Sequence, residues 1–213
     1  MESLNRRIDL FRENLSKWSQ GQIRSFPWRE DASPKEILIA EILLQKTPAS
    51  RVEPIFLKLW ERYPDFESLA AADVDQLASI LEPLGLQNRK AKALISIGEV
   101  YADARLPETE AELMELPFVS RYTANATLCF GFGQRRAIVD GNVVRVYGRA
   151  FDTHYTPQEE AAWEIAEQVL PETGYQRFNL ALLDFAAAIC VPQTPKCGEC
   201  FFSENCHYFQ VTR

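Results

Sequence analysis

Four cysteines near the end of the chain have the spacing of a metal-binding loop. They are Cys190, Cys197, Cys200 and Cys206, in the pattern C-x6-C-x2-C-x5-C. If the protein is cytosolic its thiols stay reduced, so a metal centre explains four thiolates within 17 residues better than a disulfide framework does. Tetrathiolate ligation suits zinc or an iron–sulfur cluster, and ligand chemistry alone leaves both open.

A single carboxylate, Asp140, lies in a basic stretch of the chain. Between residues 116 and 150 there are five arginines and no acid except Asp140. Asp140 ends the apolar run 137–140 and is followed by Gly141 and Asn142, so we expect it in a loop beside a helix N-terminus. A fixed carboxylate can stabilise a developing positive charge or activate water.

A second carboxylate, Glu41, falls inside a segment that is apolar almost all round. Ser33-Pro34 has the character of a helix start, and the sequence KEILIAEILLQKT follows. A helix that is apolar on every face is buried in the core. Burial favours the protonated form of a carboxyl group, which is the form a general acid needs. The alternative is that Glu41 occupies a narrow exposed face.

The elements that must position these residues are helices. Helical periodicity covers residues 4–18, 52–63, 66–81, 87 to about 104, 121–130, 158–169 and 175–190, and strand patterns are almost absent. The sequence therefore predicts an all-α fold. The segment 87–92 is a basic helix start, whose charges are expected to be solvated or to lie on a phosphate.

The bulk composition describes a globular protein with an uneven charge distribution. The net charge is −7, yet residues 116–150 are net +4, which allows a basic binding face on an acidic protein. No apolar run is long enough to span a membrane, and the N-terminus lacks a signal-peptide pattern. We therefore expect a cytoplasmic monomer without membrane contact, associated with the nucleoid if the source is prokaryotic.

The segment 116–140 resembles the helix-hairpin-helix and Gly/Pro-rich loop with aspartate of base-excision DNA glycosylases. The family hairpin usually reads Leu-Pro-Gly-Val-Gly, two residues and Thr-Ala, whereas this chain reads LPFVSRYTA. Phe118 and Ser120 replace the two glycines, which puts the usual phosphate-binding geometry in question. Ser120 could cap the second helix. A left-handed Phe118 would cost about 1–2 kcal/mol.

The cysteine spacing is similar to the [4Fe-4S] loop of endonuclease III and MutY-type glycosylases. The resemblance implies two helical lobes: a six-helix barrel with the hairpin over residues 23–133, and an iron–sulfur domain built from residues 1–22 and 134–213. It also implies a cluster of structural rather than catalytic importance. The substrate would be double-stranded DNA with a mismatched or damaged base, which is flipped out of the helix.

The resemblance assigns roles residue by residue. Asp140 would stabilise the sugar cation and orient or activate water, Glu41 would assist the leaving base, and Tyr122 stands where bifunctional relatives have a Schiff-base lysine. DNA contacts are implied for a further set of residues: Lys46, Gln87, Val119, Ser120, Arg121 and Asn142. The four cysteines would hold the [4Fe-4S] cluster.

Tyr122 cannot form a Schiff base, so the resemblance predicts a glycosylase without strand-cleaving lyase activity. Ala49 and Leu180, in the base-pocket region, match the mismatch-specific thymine glycosylases, so we favour thymine or uracil opposite guanine. Asp140-Gly141-Asn142-Val143 and Glu41 look like the MutY-type adenine branch, but the chain ends just after the cysteines, before that branch's additional domain. A non-catalytic or redox-responsive iron–sulfur DNA-binding protein is a third possibility.

Overall fold

A computed structural model describes residues 3–102 and 105–212. Within these ranges the regular secondary structure is helical, which confirms the predicted all-α class. The chain divides into two compact units, residues 25–134 and residues 1–24 with 135–213. The sequence-based division at 22/23 and 133/134 also specified a barrel and a cluster domain, and in that form it stays a prediction.

Twelve α-helices occur among the described residues. In chain order they are α1 Leu4–Trp18, α2 Pro34–Leu44, α3 Ala49–Arg62, α4 Phe66–Ala70, α5 Val74–Leu81, α6 Gln87–Tyr101, α7 Glu110–Met114, α8 Arg121–Phe130, α9 Gly141–Phe151, α10 Glu160–Val169, α11 Tyr175–Ala188 and α12 His207–Val211. Short 3₁₀ turns cover Pro27–Arg29, Glu82–Leu84, Cys197–Glu199 and Ser203–Asn205. The expected end of α6 near residue 104 lies outside the described residues.

Helix α2 is the central element of the 25–134 unit. Ser33 and Glu36 form a capping box at its start, with Pro34 in the first turn, so three local signals fix where the helix begins. Every residue from Ile37 to Leu43 is buried. Glu41 is among them at 6% exposure, so the alternative of a narrow exposed face was wrong.

In the other unit, Phe11 of α1 stands at the centre of an aromatic cluster. Its ring contacts Tyr147, Phe151, Phe201 and Phe202, with ring centroids 5.2–6.1 Å apart. These contacts join α1 to α9 and to the loop that carries the cysteines. The cluster contributes large apolar burial and specific edge-to-face geometry.

Asp184 secures the segment that follows α1. It is buried, and its carboxylate accepts hydrogen bonds from the backbone N–H, the Nε and the NH2 of Arg24 at 2.6–2.8 Å. Asp184 therefore binds the neighbouring segment and has a structural role. No helix among the described residues is both long and apolar enough to cross a bilayer.

Candidate catalytic and nucleic-acid-binding residues

Asp140 is the N-cap residue of α9. Its Oδ1 accepts from the amides of Asn142 and Val143, both at 2.8 Å, and its Oδ2 accepts from the Asn142 side-chain amide at 2.7 Å. Asn142 is held in turn by Arg145, which donates to its Oδ1 at 2.9 Å. Three donors at the positive end of the helix dipole therefore fix the half-buried carboxylate in one orientation.

Arg145 connects this helix start to the cysteine loop. Its guanidinium donates to the carbonyls of Cys190 at 2.9 Å and Ala186 at 3.1 Å. Arg149, one turn later, donates to the carbonyl of Val191 at 2.7 Å. Both arginines of α9 therefore bind the protein backbone around Cys190 and position that loop.

Two further arginines of the basic stretch form ion pairs within their own units. Arg121 lies 2.9 Å from Glu110, and Arg135 lies 2.8 Å from Glu167 and also donates to the carbonyl of Leu170. The excess of positive charge in the sequence is therefore largely matched by nearby acids and carbonyls. Residue counts alone therefore do not establish a basic face, because nearby acids neutralise part of the positive charge in the folded protein.

The hairpin keeps a left-handed residue although its glycines are replaced. Phe118 has φ +68°, the conformation that glycine adopts without cost. Its carbonyl accepts from Gln45 Nε2 at 2.7 Å, and its half-buried ring lies 4.8 Å below the Arg89 guanidinium. Ser120 Oγ accepts from the Thr123 amide at 3.2 Å, so the predicted N-cap of α8 is confirmed.

Several predicted site residues of the 25–134 unit lie at helix ends. Lys46 is exposed in the turn after α2 with φ +56°, and Ala49 is the first residue of α3 and packs partly against the core. Tyr122 is partly exposed in the first turn of α8, next to Arg121 and two residues after the Ser120 cap. In the other unit, Leu180 is partly buried in α11.

The composition of the basic start of α6 suggested a solvated surface, but its residues are not all exposed. Gln87 is half-buried and Arg89 exposed, but Lys90 has no exposed surface at all. Lys90 Nζ donates to the carbonyl of Leu43 at 2.8 Å and to Thr47 Oγ1 at 3.1 Å. Sequence reasoning missed this residue because a lysine beside an arginine looks like surface.

The four cysteines of the C-terminal loop are unbridged and half-buried. Burial and the neighbouring sulfurs of Cys206, Cys190 and Cys197 raise the pKa of Cys200 to about 11. Cys190, Cys197 and Cys206 therefore all lie within electrostatic reach of Cys200. Among the residues described, no three His, Cys, Asp or Glu side chains are grouped closely enough to hold a metal ion.

The fold and the position of Asp140 define a class of protein. The chain belongs to the HhH-GPD superfamily of base excision DNA repair proteins, whose sequence profile matches residues 39–172. That range runs from α2, which carries Glu41, through the hairpin and Asp140 to the end of α10.

The chain is similar over nearly its whole length to two relatives and to one solved structure. The chain is 34% identical to thymine/uracil-DNA glycosylase of Methanothermobacter thermautotrophicus, over 98% of this chain and 97% of the relative. It is 31% identical to thymine-DNA glycosylase of Aeropyrum pernix, over 95% and 96%. The structure of a thermostable thymine-DNA glycosylase matches with a TM-score of 0.93 and 34% identity, covering 99% of this chain and all of that one.

Proposed function

We propose that the protein is a DNA glycosylase of base excision repair that removes thymine or uracil opposite guanine and leaves an intact abasic strand. The observation that carries this proposal is the Asp140 carboxylate at the family's aspartate position, oriented by three donors at 2.7–2.8 Å. The full-length similarity to two thymine glycosylases supports the choice of base.

Asp140 stabilises the charge that develops when the N-glycosidic bond breaks. Loss of the base leaves positive charge on the deoxyribose, and a fixed carboxylate offsets that charge without reorganising during the reaction. The contacts to Asn142 and Val143 hold the direction of the carboxylate. The same carboxylate can orient the water that attacks the sugar.

Glu41 and Tyr122 supply the remaining chemistry. A buried carboxyl group inside the apolar helix α2 is suited to hydrogen-bond or protonate the leaving base. Tyr122 occupies the position of the lyase lysine and has no amine to form an imine with the sugar. The enzyme is therefore a hydrolase that releases the base without cutting the strand.

The DNA backbone is held by residues at helix starts and turns. The proposed contacts are Lys46, Gln87, Val119, Ser120, Arg121 and Asn142. Helix N-termini and backbone amides are suited to phosphate oxygens. Ala49 and Leu180 are proposed to determine which base is accepted. These contacts give register and affinity, and the salt dependence of binding should be strong.

The cysteine loop fits a [4Fe-4S] cluster better than a single zinc ion. A typical zinc ribbon has two C-x2-C pairs, whereas this loop has only one, and its C-x6-C-x2-C-x5-C spacing is similar to that of the [4Fe-4S] loop of endonuclease III and MutY-type glycosylases. This spacing is the support for a [4Fe-4S] cluster. Cys190, Cys197, Cys200 and Cys206 would hold it, and it would stabilise the loop without taking part in base release.

A panel of duplexes tests the proposed function. Single-turnover assays with T·G, U·G, A·G and A·8-oxoguanine duplexes, each read before and after alkali, separate base release from strand cutting. We expect release from T·G and U·G, with strand breaks only after alkali. Adenine release opposite 8-oxoguanine with no action on T·G or U·G would instead place the protein in the MutY-type branch, which Asp140-Gly141-Asn142-Val143 and Glu41 also resemble.

The cluster is tested separately. Protein purified without oxygen should contain about four irons and four sulfides per chain. Stoichiometric zinc with no iron or sulfide would refute the assignment while leaving the glycosylase proposal intact.

A further inference from the structure

A fully buried lysine lies beneath two exposed turns of the 25–134 unit. Lys90 has no exposed surface, and its ammonium donates to the Leu43 carbonyl at 2.8 Å and to Thr47 Oγ1 at 3.1 Å. A buried charge is costly unless it is hydrogen-bonded. Leu43 lies in the last turn of α2, where carbonyls form the negative end of the helix dipole, so a cation is favourable there.

Thr47 links Lys90 by hydrogen bonds to a second segment. Its buried hydroxyl accepts from Lys90 and donates to the carbonyl of Leu84 at 2.8 Å. Leu84 ends the 3₁₀ turn that leads into α6. The chain of hydrogen bonds from Lys90 through Thr47 to Leu84 therefore ties the α2–α3 turn to the segment before α6, although the two are 37 residues apart in sequence.

Each of these two segments holds a non-glycine residue in the left-handed conformation. Lys46, beside Thr47, has φ +56°, and Leu86, two residues after Leu84, has φ +55°. Lys46 is exposed, and Leu86 is 38% exposed although it is apolar. Such conformations persist only where the surrounding structure over-determines them. The hydrogen bonds of Lys90 and Thr47 supply that constraint from below.

We propose that Lys90 and Thr47 are positioning residues: together they form a buried brace that fixes the turns bearing Lys46, Leu86 and Gln87 in the arrangement that binds DNA. The inference rests on the proposed function, because it assumes that these turns meet the duplex. The brace has no contact with the reacting sugar. It sets affinity and register, and leaves the chemistry to other residues.

The test compares two buried threonines of the same unit. Thr47→Val removes the bridging hydroxyl at nearly constant shape. Thr127→Val is the matched control, because Thr127 is also buried but its hydroxyl donates at 2.9 Å to the carbonyl of Thr123, within its own helix. Binding to a U·G duplex is measured by anisotropy in an Asp140→Asn background, so that substrate is not consumed. Base release is measured at saturating enzyme with variants that keep Asp140.

We expect Thr47→Val to raise Kd by about tenfold and to change the saturating single-turnover rate by less than about threefold. Thr127→Val should lose similar thermal stability with unchanged Kd. Thr47→Ser, which keeps the hydroxyl, should bind as the wild type does. Equal Kd values for the two valine variants, or an effect confined to the saturating rate, would overturn the proposal.

Hydrogen exchange of the wild-type chain gives a measurement that needs no variant. The Thr47 amide is bonded to Leu44 and the Gly85 amide to Glu82, so each reports on one braced segment. The brace requires both amides to exchange through one common opening as urea is added, whereas independent openings would contradict it. If the wild type releases no base from any duplex, the proposed function fails, but exchange and duplex affinity still decide whether the brace exists.

Discussion

Replacing Asp140 by Asn separates its structural role from its chemical one. The variant keeps the shape of the side chain, and Asn caps a helix about as well as Asp does. Its oxygen can still accept from the amides of Asn142 and Val143, which are 2.8 Å from Oδ1 in the wild type. The new side-chain nitrogen at position 140, however, faces the side-chain nitrogen of Asn142, and two N–H donors cannot bond each other. The oxygen of the Asn142 side chain cannot replace that nitrogen, because it is already bound by Arg145.

The stability cost follows from these contacts. One side-chain hydrogen bond is lost, worth about 1 kcal/mol, and so is the favourable contact of an anion with the helix N-terminus, worth about 0.3–1 kcal/mol. The variant should therefore unfold about 2–8 °C below the wild type. The catalytic loss is larger, because a neutral amide cannot offset the sugar cation, and we expect a fall in rate of about 10²–10³-fold or more.

Asp73 provides a matched control. It caps α5 in the same way as Asp140 caps α9, its Oδ1 accepting from the amides two and three residues ahead at 3.1 and 2.9 Å. Asp73→Asn keeps both amide contacts, so it should lose only the contact of an anion with the helix N-terminus, about 0.3–1 kcal/mol, and keep full activity. The assay is single-turnover base release from a U·G duplex, with duplex Kd measured in parallel. Near-wild-type release by Asp140→Asn, or an equal loss in Asp73→Asn, would show that the wrong carboxylate has been chosen.

Three further changes test other parts of the structure. Burial lowers the pKa of Lys90 from 10.5 to about 8. Between these pH values the unfolded chain binds more protons than the folded chain, so the free energy of unfolding should rise with pH across that window, by at most about 3 kcal/mol. Urea unfolding at pH 7 and 10.5 should show this rise in the wild type but not in Lys90→Met. Tyr122→Lys should introduce strand cleavage that borohydride traps on DNA, and trapping of the wild type would refute the monofunctional assignment. Phe118→Gly should lower Tm by a few degrees, because the loss of ring packing and of the Arg89 contact outweighs the relief of about 1–2 kcal/mol of left-handed backbone strain. A higher Tm would show that the strain costs more than the ring contacts contribute.

Local rules made much of the fold predictable. The helix over 121–130 has the predicted bounds, since Ser120 caps it and the chain reaches Gly131 at its end. Glu41 is buried because every neighbour in its helix is apolar, a property that one sequence window contains in full. Signals of this kind depend on residues only three or four apart, and periodicity captures them.

Other features depend on partners that are distant in sequence. Lys90 is buried because Leu43 and Thr47, more than 40 residues away, offer it oxygen atoms. Arg135 is paired because Glu167 lies 32 residues further on. Periodicity contains no information on such pairs, so residue counts overstated the basic face and placed Lys90 at the surface. The cluster and the base preference depend on atoms outside the chain, and they stay predictions for the assays above.

The distribution of left-handed residues connects the fold to the proposed function. Among the residues described, five non-glycine residues have positive φ, and they include Lys46, Leu86 and Phe118 of the 25–134 unit. Glycine would hold each of these conformations without the steric cost of a Cβ. The structure around these positions therefore has to offset that cost. Phe118 does so within the protein, by packing on the core and under Arg89. Lys46 and Leu86 are exposed, so the constraint on their backbone comes instead from the buried hydrogen bonds of Lys90 and Thr47.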